Sequence, residues 1–252
     1  MTAVSTHSVR PVLRVVLSDA YAVDCGTGMI DRPTVVVSFA QSLDGRIATR
    51  NGDSRWISGS ETLTLAHELR RDNDAILVGI GTVLRDDPEL SCRLAQEHFS
   101  PLRIVLDSRL RLPEASRIVQ TATRFRTIVA TLSDSTREQR DRLRNHNITV
   151  VDFAADQSGS GVDLQQLLQW LASQGIQSLF VEGGSSVITS FVRQRLVDRL
   201  LLVIAPMLIG DGTPAIGDLG TEALAGAIRL TPRQPRQLGR DLVWELEFPP
   251  TA

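Results

Sequence analysis

The chain alternates short apolar runs with amphipathic stretches, and that alternation is its first structural message. Residues 34–40 form a valine-rich, β-branched run that predicts a strand, closed by the turn signal Asp44-Gly45. The spacing of Leu63, Ala66 and Leu69 predicts a helix over 62–71, with Ser58 and Glu61 at capping-box separation before it. Apolar runs at 75–78, 103–107, 127–131 and 148–152 predict buried strands. Leu164, Leu167, Leu168 and Leu171 share one face of a predicted helix over 163–173. A strand at 178–182 then leads through Gly183-Gly184 into a helix ending near Val192. Residues 198–205 form a long apolar strand, and 241–248 alternate as a half-exposed one does.

Strands separated by helices predict an α/β fold, with a mostly parallel central sheet and helices on both faces. The last strands have no helix between them, so the sheet is expected to be mixed at one edge. No repeat or Pro-rich linker interrupts the pattern, which predicts a single domain over 33–252. Residues 1–32 read as an extension whose apolar patch at 12–17 allows at most one short element.

Composition narrows the chemistry. All 27 Lys+Arg residues are arginine. The absence of lysine excludes a P-loop NTPase, a pyridoxal Schiff base and the lysine-bearing kinase and penicillin-recognition signatures. A Tyr-x-x-x-Lys dehydrogenase is excluded too, because the one tyrosine, Tyr21, is followed by Asp24 and Cys25. A phosphate gripped by side-chain charge must be gripped by arginine. The formal net charge of −2 gives no basic excess for nucleic acid. The greasy run at 200–209 is half a membrane span, broken by Pro206. Cys25 and Cys92 lack CxxC spacing, and four scattered histidines form no ligand cluster, so no metal is expected. With neither a signal-peptide pattern nor a span, the chain reads as a soluble cytoplasmic protein.

Three segments at predicted strand ends carry more polar detail than a core needs, where open α/β sheets place ligands. The first runs from Ser38 through Asp44-Gly45-Arg46 to Ser54, Trp56 and Ser58; it is either a capped connection or a ligand wall. The second, Gly79 to Arg93, lacks the third glycine of a dinucleotide fingerprint, and its Asp86-Asp87 pair suits an Asx turn, a general acid or a metal. The third is Glu182-Gly183-Gly184-Ser185-Ser186, a strand end running into a helix N-terminus, which suits a pyrophosphate. A carboxylate there wants a partner.

Taken in order, these segments resemble a known family. Ser42-Leu43-Asp44-Gly45-Arg46-Ile47-Ala48 comes first, then Gly52, Ser54, Trp56-Ile57-Ser58 and Leu69-Arg70. Ala75 to Gly79, Gly81-Thr82-Val83-Leu84, Asp86-Asp87-Pro88 and Leu90 follow, then Ile104 to Ser108 and Val181 to Gly184. The series is similar to the riboflavin-biosynthesis pyrimidine reductases, which have the dihydrofolate-reductase-like fold. The resemblance implies NADPH-dependent reduction of the ribosyl chain of a phosphoribosylamino-pyrimidine to ribityl, by a homodimer. It places cofactor contacts at Ala40, Trp56, Thr82, Asp86, Ser108, Gly184, Ser185, Ser186, Val187, Ile188, Thr189 and Ser190. Substrate contacts fall at Ser54, Arg70, Leu90, Arg93 and Glu182, with Asp86 and Glu182 as catalytic groups. Ser54, Arg70 and Arg93 suit a sugar phosphate, and Ser108-Arg109 suits an adenosine 2′-phosphate.

Two features depart from the family. The H-x-E and P-C-x-x-C deaminase motifs fused to many members are absent, leaving the pyrimidine's amination state open. Ser91-Cys92 is less usual beside Arg93. A pteridine-type reductase on the same fold and a non-catalytic NADPH-binding paralogue are the competing readings.

Overall fold

The computed structural model describes residues 31–94 and 100–250. The expected extension, with its 12–17 patch, Tyr21 and Cys25, lies outside the described residues except for its last two positions. Strands β1 (Thr34–Ser42) and β2 (Arg46–Thr49) come first, followed by helix α1 (Ser60–Asp72), β3 (Ala75–Gly79) and α2 (Ile80–Asp86). Then come β4 (Leu102–Leu106), α3 (Arg117–Gln120), β5 (Thr127–Leu132), α4 (Arg137–Arg144) and β6 (Thr149–Phe153). The remaining elements are α5 (Leu164–Ser173), β7 (Ser178–Val181), α6 (Ser185–Arg193), β8 (Arg199–Ala205), β9 (Gly212–Pro214), β10 (Thr231–Pro232), β11 (Arg236–Leu238) and β12 (Asp241–Glu247).

The main sheet has the order β10-β12-β8-β1-β7-β3-β4-β5-β6, with β11 also pairing β12. Pairing is parallel from β8 across to β6 and antiparallel from β8 to β12, β10 and β11. The mixed edge expected from the helix-free C-terminal strands is there. Because β8 lies between β1 and β12, it is an interior strand and offers no free edge to a second chain.

Alternation along each central strand splits the core into two layers. Val35, Val37, Leu77, Ile104, Leu179 and Val181 face Leu167, Leu171, Ile188 and Phe191 of α5 and α6. Val36, Ile76, Val78, Val105 and Phe180 face Leu65, Leu69, Val83, Ile118 and Leu143 of α1 to α4. A one-residue slip would exchange the two sets, so two covered faces fix the register.

Three helices depart from or add to the sequence reading. Helix α1 starts at Gly59, not at a Ser58–Glu61 box, and no local side chain caps it. Its first donors are taken from far along the chain: Asp241 Oδ2 accepts from Gly59 N at 2.7 Å and Thr62 Oγ1 at 2.6 Å. Residues 80–86, given no element in the sequence reading, form α2, because Ile80 and Val83 are one turn apart and both find the core. Helix α4 buries only Leu143 among polar residues, so it shows no apolar stripe, and its local cue is the capping box at Thr136 and Gln139.

The Asp44-Gly45 turn is a tether. Asp44 Oδ1 accepts from Ser42 Oγ at 2.5 Å and Ile209 N at 3.1 Å, and Oδ2 accepts from Gly210 N at 2.7 Å. Arg46 Nε donates to the Gly210 carbonyl at 2.9 Å. The Ser42 hydroxyl and the two amides hold the Asp44 carboxyl down at about 2, below its usual 3.8. A folded-state pKa below the unfolded value stabilises above about pH 4, and that contribution fades as pH falls towards 2. Asp44→Ala should therefore lower the melting midpoint at pH 7, with the gap to the parent closing by pH 2. A gap independent of pH would remove the carboxylate from this role.

Candidate active site

The chain order turns back on itself beside β1. Strands β3 to β6 run outward in sequence, β7 returns to lie between β1 and β3, and β8 falls on the other side of β1. All are parallel, so the C-terminal ends of β1, β7, β3 and β4 line one edge. This reversal is the switch point at which open α/β sheets form a crevice. All three segments singled out in the sequence leave the sheet there.

Glu182 follows β7, and its amide donates to the Leu77 carbonyl of β3 at 3.0 Å. The partner its carboxylate needs is Arg70 of α1. Arg70 Nε donates to Glu182 Oε2 at 2.7 Å, and Nη2 closes a second bond to Oε1, making a bidentate pair. Arg70 Nη1 also donates to the Ser91 carbonyl at 3.2 Å. The Arg70 side chain is only 10% exposed and that of Glu182 24%. Arg70 is thus largely committed within the protein, which revises the picture of a free phosphate grip. It joins α1, β7 and the 90–93 segment in one charged cluster. The paired carboxylate holds the already basic Arg70 guanidinium further up, against the opposing pull of burial.

Beyond Glu182, Gly183 and Gly184 adopt φ of 111° and 88°, and α6 begins with no side chain capping it. Its first amides and the positive end of its dipole point out of the sheet. A Cβ on Gly184 would lie 3.1 Å from Thr82 Oγ1 of α2, so glycine leaves this cradle open. Alongside runs a cleft of about 150 Å³ lined by Leu106, Ser108, Val162, Ser186, Val187 and Ser190, among others. Helical periodicity divides the expected 184–190 contacts. Ser186, Val187 and Ser190 face the cleft, whereas Ile188 is wholly buried in the core. The Thr189 hydroxyl is committed as well, donating to Ser185 O at 2.6 Å and accepting from Gly217 N at 2.8 Å. Ile188 and Thr189 can offer a ligand only their backbone.

The Asp86-Asp87 pair is split by the end of α2. Asp87 turns left-handed at φ 42° and its Oδ1 accepts from Arg117 N at 2.8 Å, capping α3. Asp86 is exposed at the last position of α2. Desolvation lifts its carboxyl above the usual range, opposed by Arg85 and Arg55 nearby. Leu90 also has a left-handed φ of 56°, and its side chain is buried in the layer beneath α1 and α2. Its expected substrate contact is therefore not a side-chain one. Arg93 is exposed, and its amide donates to His67 Nδ1 at 3.2 Å. Ser54 and Ala40 are half-buried at the same sheet edge. Trp56 is 75% exposed with φ 65°, an uncommon conformation for a bulky residue.

His67, one of the four scattered histidines of the sequence, had no site role there. It lies one turn before Arg70 on α1. Burial pushes its imidazole down, and the charges of Arg70 and Arg93 push the same way. Among the described residues, no group of three or more His, Cys, Asp or Glu side chains could hold a metal, and no helix is long and apolar enough to cross a membrane.

Comparison with known proteins decides the family. The model described as "RibD C-terminal domain" matches residues 33–244. The chain belongs to this family. A riboflavin biosynthesis protein RibD from Aquifex aeolicus is 35% identical over 84% of this chain and 57% of its own length. The chain thus spans little more than half of that relative. A 2,5-diamino-6-ribosylamino-4(3H)-pyrimidinone 5′-phosphate reductase from Methanothermobacter thermautotrophicus is 38% identical, over 85% of this chain and 97% of that protein. The crystallised RibD of Acinetobacter baumannii (form 2) superposes with a TM-score of 0.76 at 26% identity, covering 87% of this chain and 58% of that one. The fold is the dihydrofolate-reductase-like one of RibD reductase domains.

Proposed function

We propose that this RibD C-terminal-domain protein reduces the ribosyl group of a 5-amino-6-(5-phosphoribosylamino)pyrimidine to ribityl in riboflavin biosynthesis, using NADPH. The pyrimidine is the uracil or the 2,5-diamino-pyrimidinone form. The observation that carries this reading is the meeting, at one strand end, of the uncapped α6 N-terminus with the Arg70–Glu182 pair. An anion site and an organised polar cluster side by side suit a dinucleotide and a sugar phosphate.

The open Gly184–Thr82 cradle, the α6 amides and the Ser108–Ser186–Ser190 cleft fit a dinucleotide. NADPH supplies a hydride when bound. Thr82, Gly184, Ser185 and Ser186 hold its diphosphate in this reading, Ser108 lies towards the adenosine, and Ala40, Trp56 and Asp86 border the nicotinamide end. Ser54, Arg93, the Leu90 backbone and the Arg70–Glu182 pair hold the substrate. Glu182, fixed by Arg70, accepts hydrogen bonds from the sugar. Asp86, whose carboxyl burial has lifted, holds a proton near the reacting carbon. Residues 33–252 act as one reductase unit behind the 1–32 extension. A cytoplasmic homodimer completes the reading; β8, paired on both sides, offers it no free strand edge.

Purified protein given NADPH and the phosphoribosylamino-pyrimidine should lose absorbance at 340 nm and form the ribityl product. Arg93→Ala should raise the substrate KM about tenfold, the effect of a lost charged hydrogen bond. No NADPH consumption with either pyrimidine form would remove the proposal.

A further inference from the structure

The loop carrying Ser54 and Trp56 has few bonds of its own to hold it. A two-residue turn joins β11 to β12, with Leu238 opposite Asp241 and Gly239 at φ 58°. A positive φ at the first central position alone is the mark of a type II′ hairpin. A Cβ on Gly239 would come within 2.7 Å of the Glu61 carboxylate, the movable end of an exposed side chain. The turn is therefore pressed against the start of α1.

Arg240 of the turn and Asp241, the first residue of β12, both reach into the site's scaffold. Arg240 Nη2 donates to the carbonyls of Trp56 at 3.1 Å and Ile57 at 3.2 Å. Asp241, only 1% exposed, accepts from Gly59 N and Thr62 Oγ1 as described above. The first contact grips the peptide beside the one bulky, exposed, left-handed residue of the loop. The second fixes the start of the helix that carries His67 and Arg70. Neither partner is near in sequence, and the antiparallel register, with Leu242 opposite Ile204, sets the turn beside the C-terminal ends of β8 and β1.

We propose that Arg240 and Asp241 are positioning residues. The β11–β12 turn is a brace that holds the 54–59 loop, and Trp56 with it, in the geometry that meets the cofactor. The left-handed Trp56 backbone is costly by itself and persists because the surrounding structure over-determines it. Arg240 supplies that constraint without touching any ligand. The part concerning cofactor rests on the proposed NADPH reading; the bracing of the loop does not.

Two measurements on the full chain test it. In Arg240→Ala, amide hydrogen exchange across 55–60 should speed up, while exchange in β4 and α5 stays near the parent's. Arg240 is exposed, so the variant is expected to fold. NADPH affinity, read by fluorescence titration, should fall about fivefold to tenfold, as the loss of a hydrogen bond from a charged group implies. Arg240→Lys should restore part of both. Asp241→Asn, which keeps one acceptor, should speed exchange at 59–63. Unchanged exchange at 55–60 in Arg240→Ala would overturn the brace whatever NADPH does. Faster exchange with unaltered NADPH affinity would overturn the positioning role. A parent protein that binds no NADPH would overturn the NADPH reading and the cofactor role assigned to the brace, while the exchange data would still decide whether the turn holds the loop.

Discussion

Arg103→Met should destabilise the folded chain by at least about 3 kcal/mol, because it strands several buried acceptors whose desolvation each costs about 1–3 kcal/mol. Arg103 is fully buried on β4. Its Nε donates to Thr127 Oγ1 at 3.0 Å, and its Nη1 to the Glu89 carbonyl at 2.9 Å and Thr121 Oγ1 at 2.7 Å. Nη2 reaches the carbonyls of Ile118 at 2.9 Å and Phe125 at 3.0 Å, and the guanidinium lies 5.3 Å from the Phe125 ring centroid. Burial lowers its pKa to about 10, still far above neutrality, so the charge is kept inside the protein. Methionine fills similar space and satisfies none of these groups. Urea denaturation checks the value, and a loss below about 1 kcal/mol would mean the acceptors find water or new donors. Because one bond goes to Glu89, the variant should also loosen the Asp86–Ser91 segment.

Arg70→Ala should abolish measurable turnover and destabilise the chain by about 3 kcal/mol, the lower end of the cost of leaving a buried charge unpaired. The lower end applies because Glu182 keeps 24% of its side-chain area exposed. The lost bonds from Arg70 Nε and Nη1, to Glu182 and the Ser91 carbonyl, add to the effect. A paired variant separates fold from function. Arg70→Met combined with Glu182→Leu removes both charges and should recover most of the stability, since apolar replacement of a buried pair is often close to neutral. It should recover no activity. Activity in the double variant would place the chemistry elsewhere, and an Arg70→Ala protein as stable as the parent would show that Glu182 is well solvated.

The strands and the helices with an apolar stripe could be read from the sequence because their signal is local. Residues 34–40, 75–78 and 163–173 bury a face whose period is written in the side chains themselves. Helix α4 and the two-residue strand β10 escaped, since α4 buries only Leu143 and β10 is exposed, so neither carries an apolar run. The Gly183-Gly184 helix start was legible for a similar reason: strand, glycines and helix N-terminus are contiguous in sequence.

The charged groups could not be assigned this way. In sequence, Arg70 is one of 27 arginines, and nothing local distinguishes it from a solvated helix position. Arg103 opens an apolar run and gives no sign of its buried cage. Pairing Arg70 with Glu182, separating Asp87 from Asp86 and bringing Asp241 to the start of α1 all depend on contacts across the sheet order. So the sequence by itself determined the α/β class, the main strands and the glycine-led start of α6. Tertiary structure decided which charges meet, because a charge is valued by its neighbours and its distance from water, and both are set only when remote strands pair.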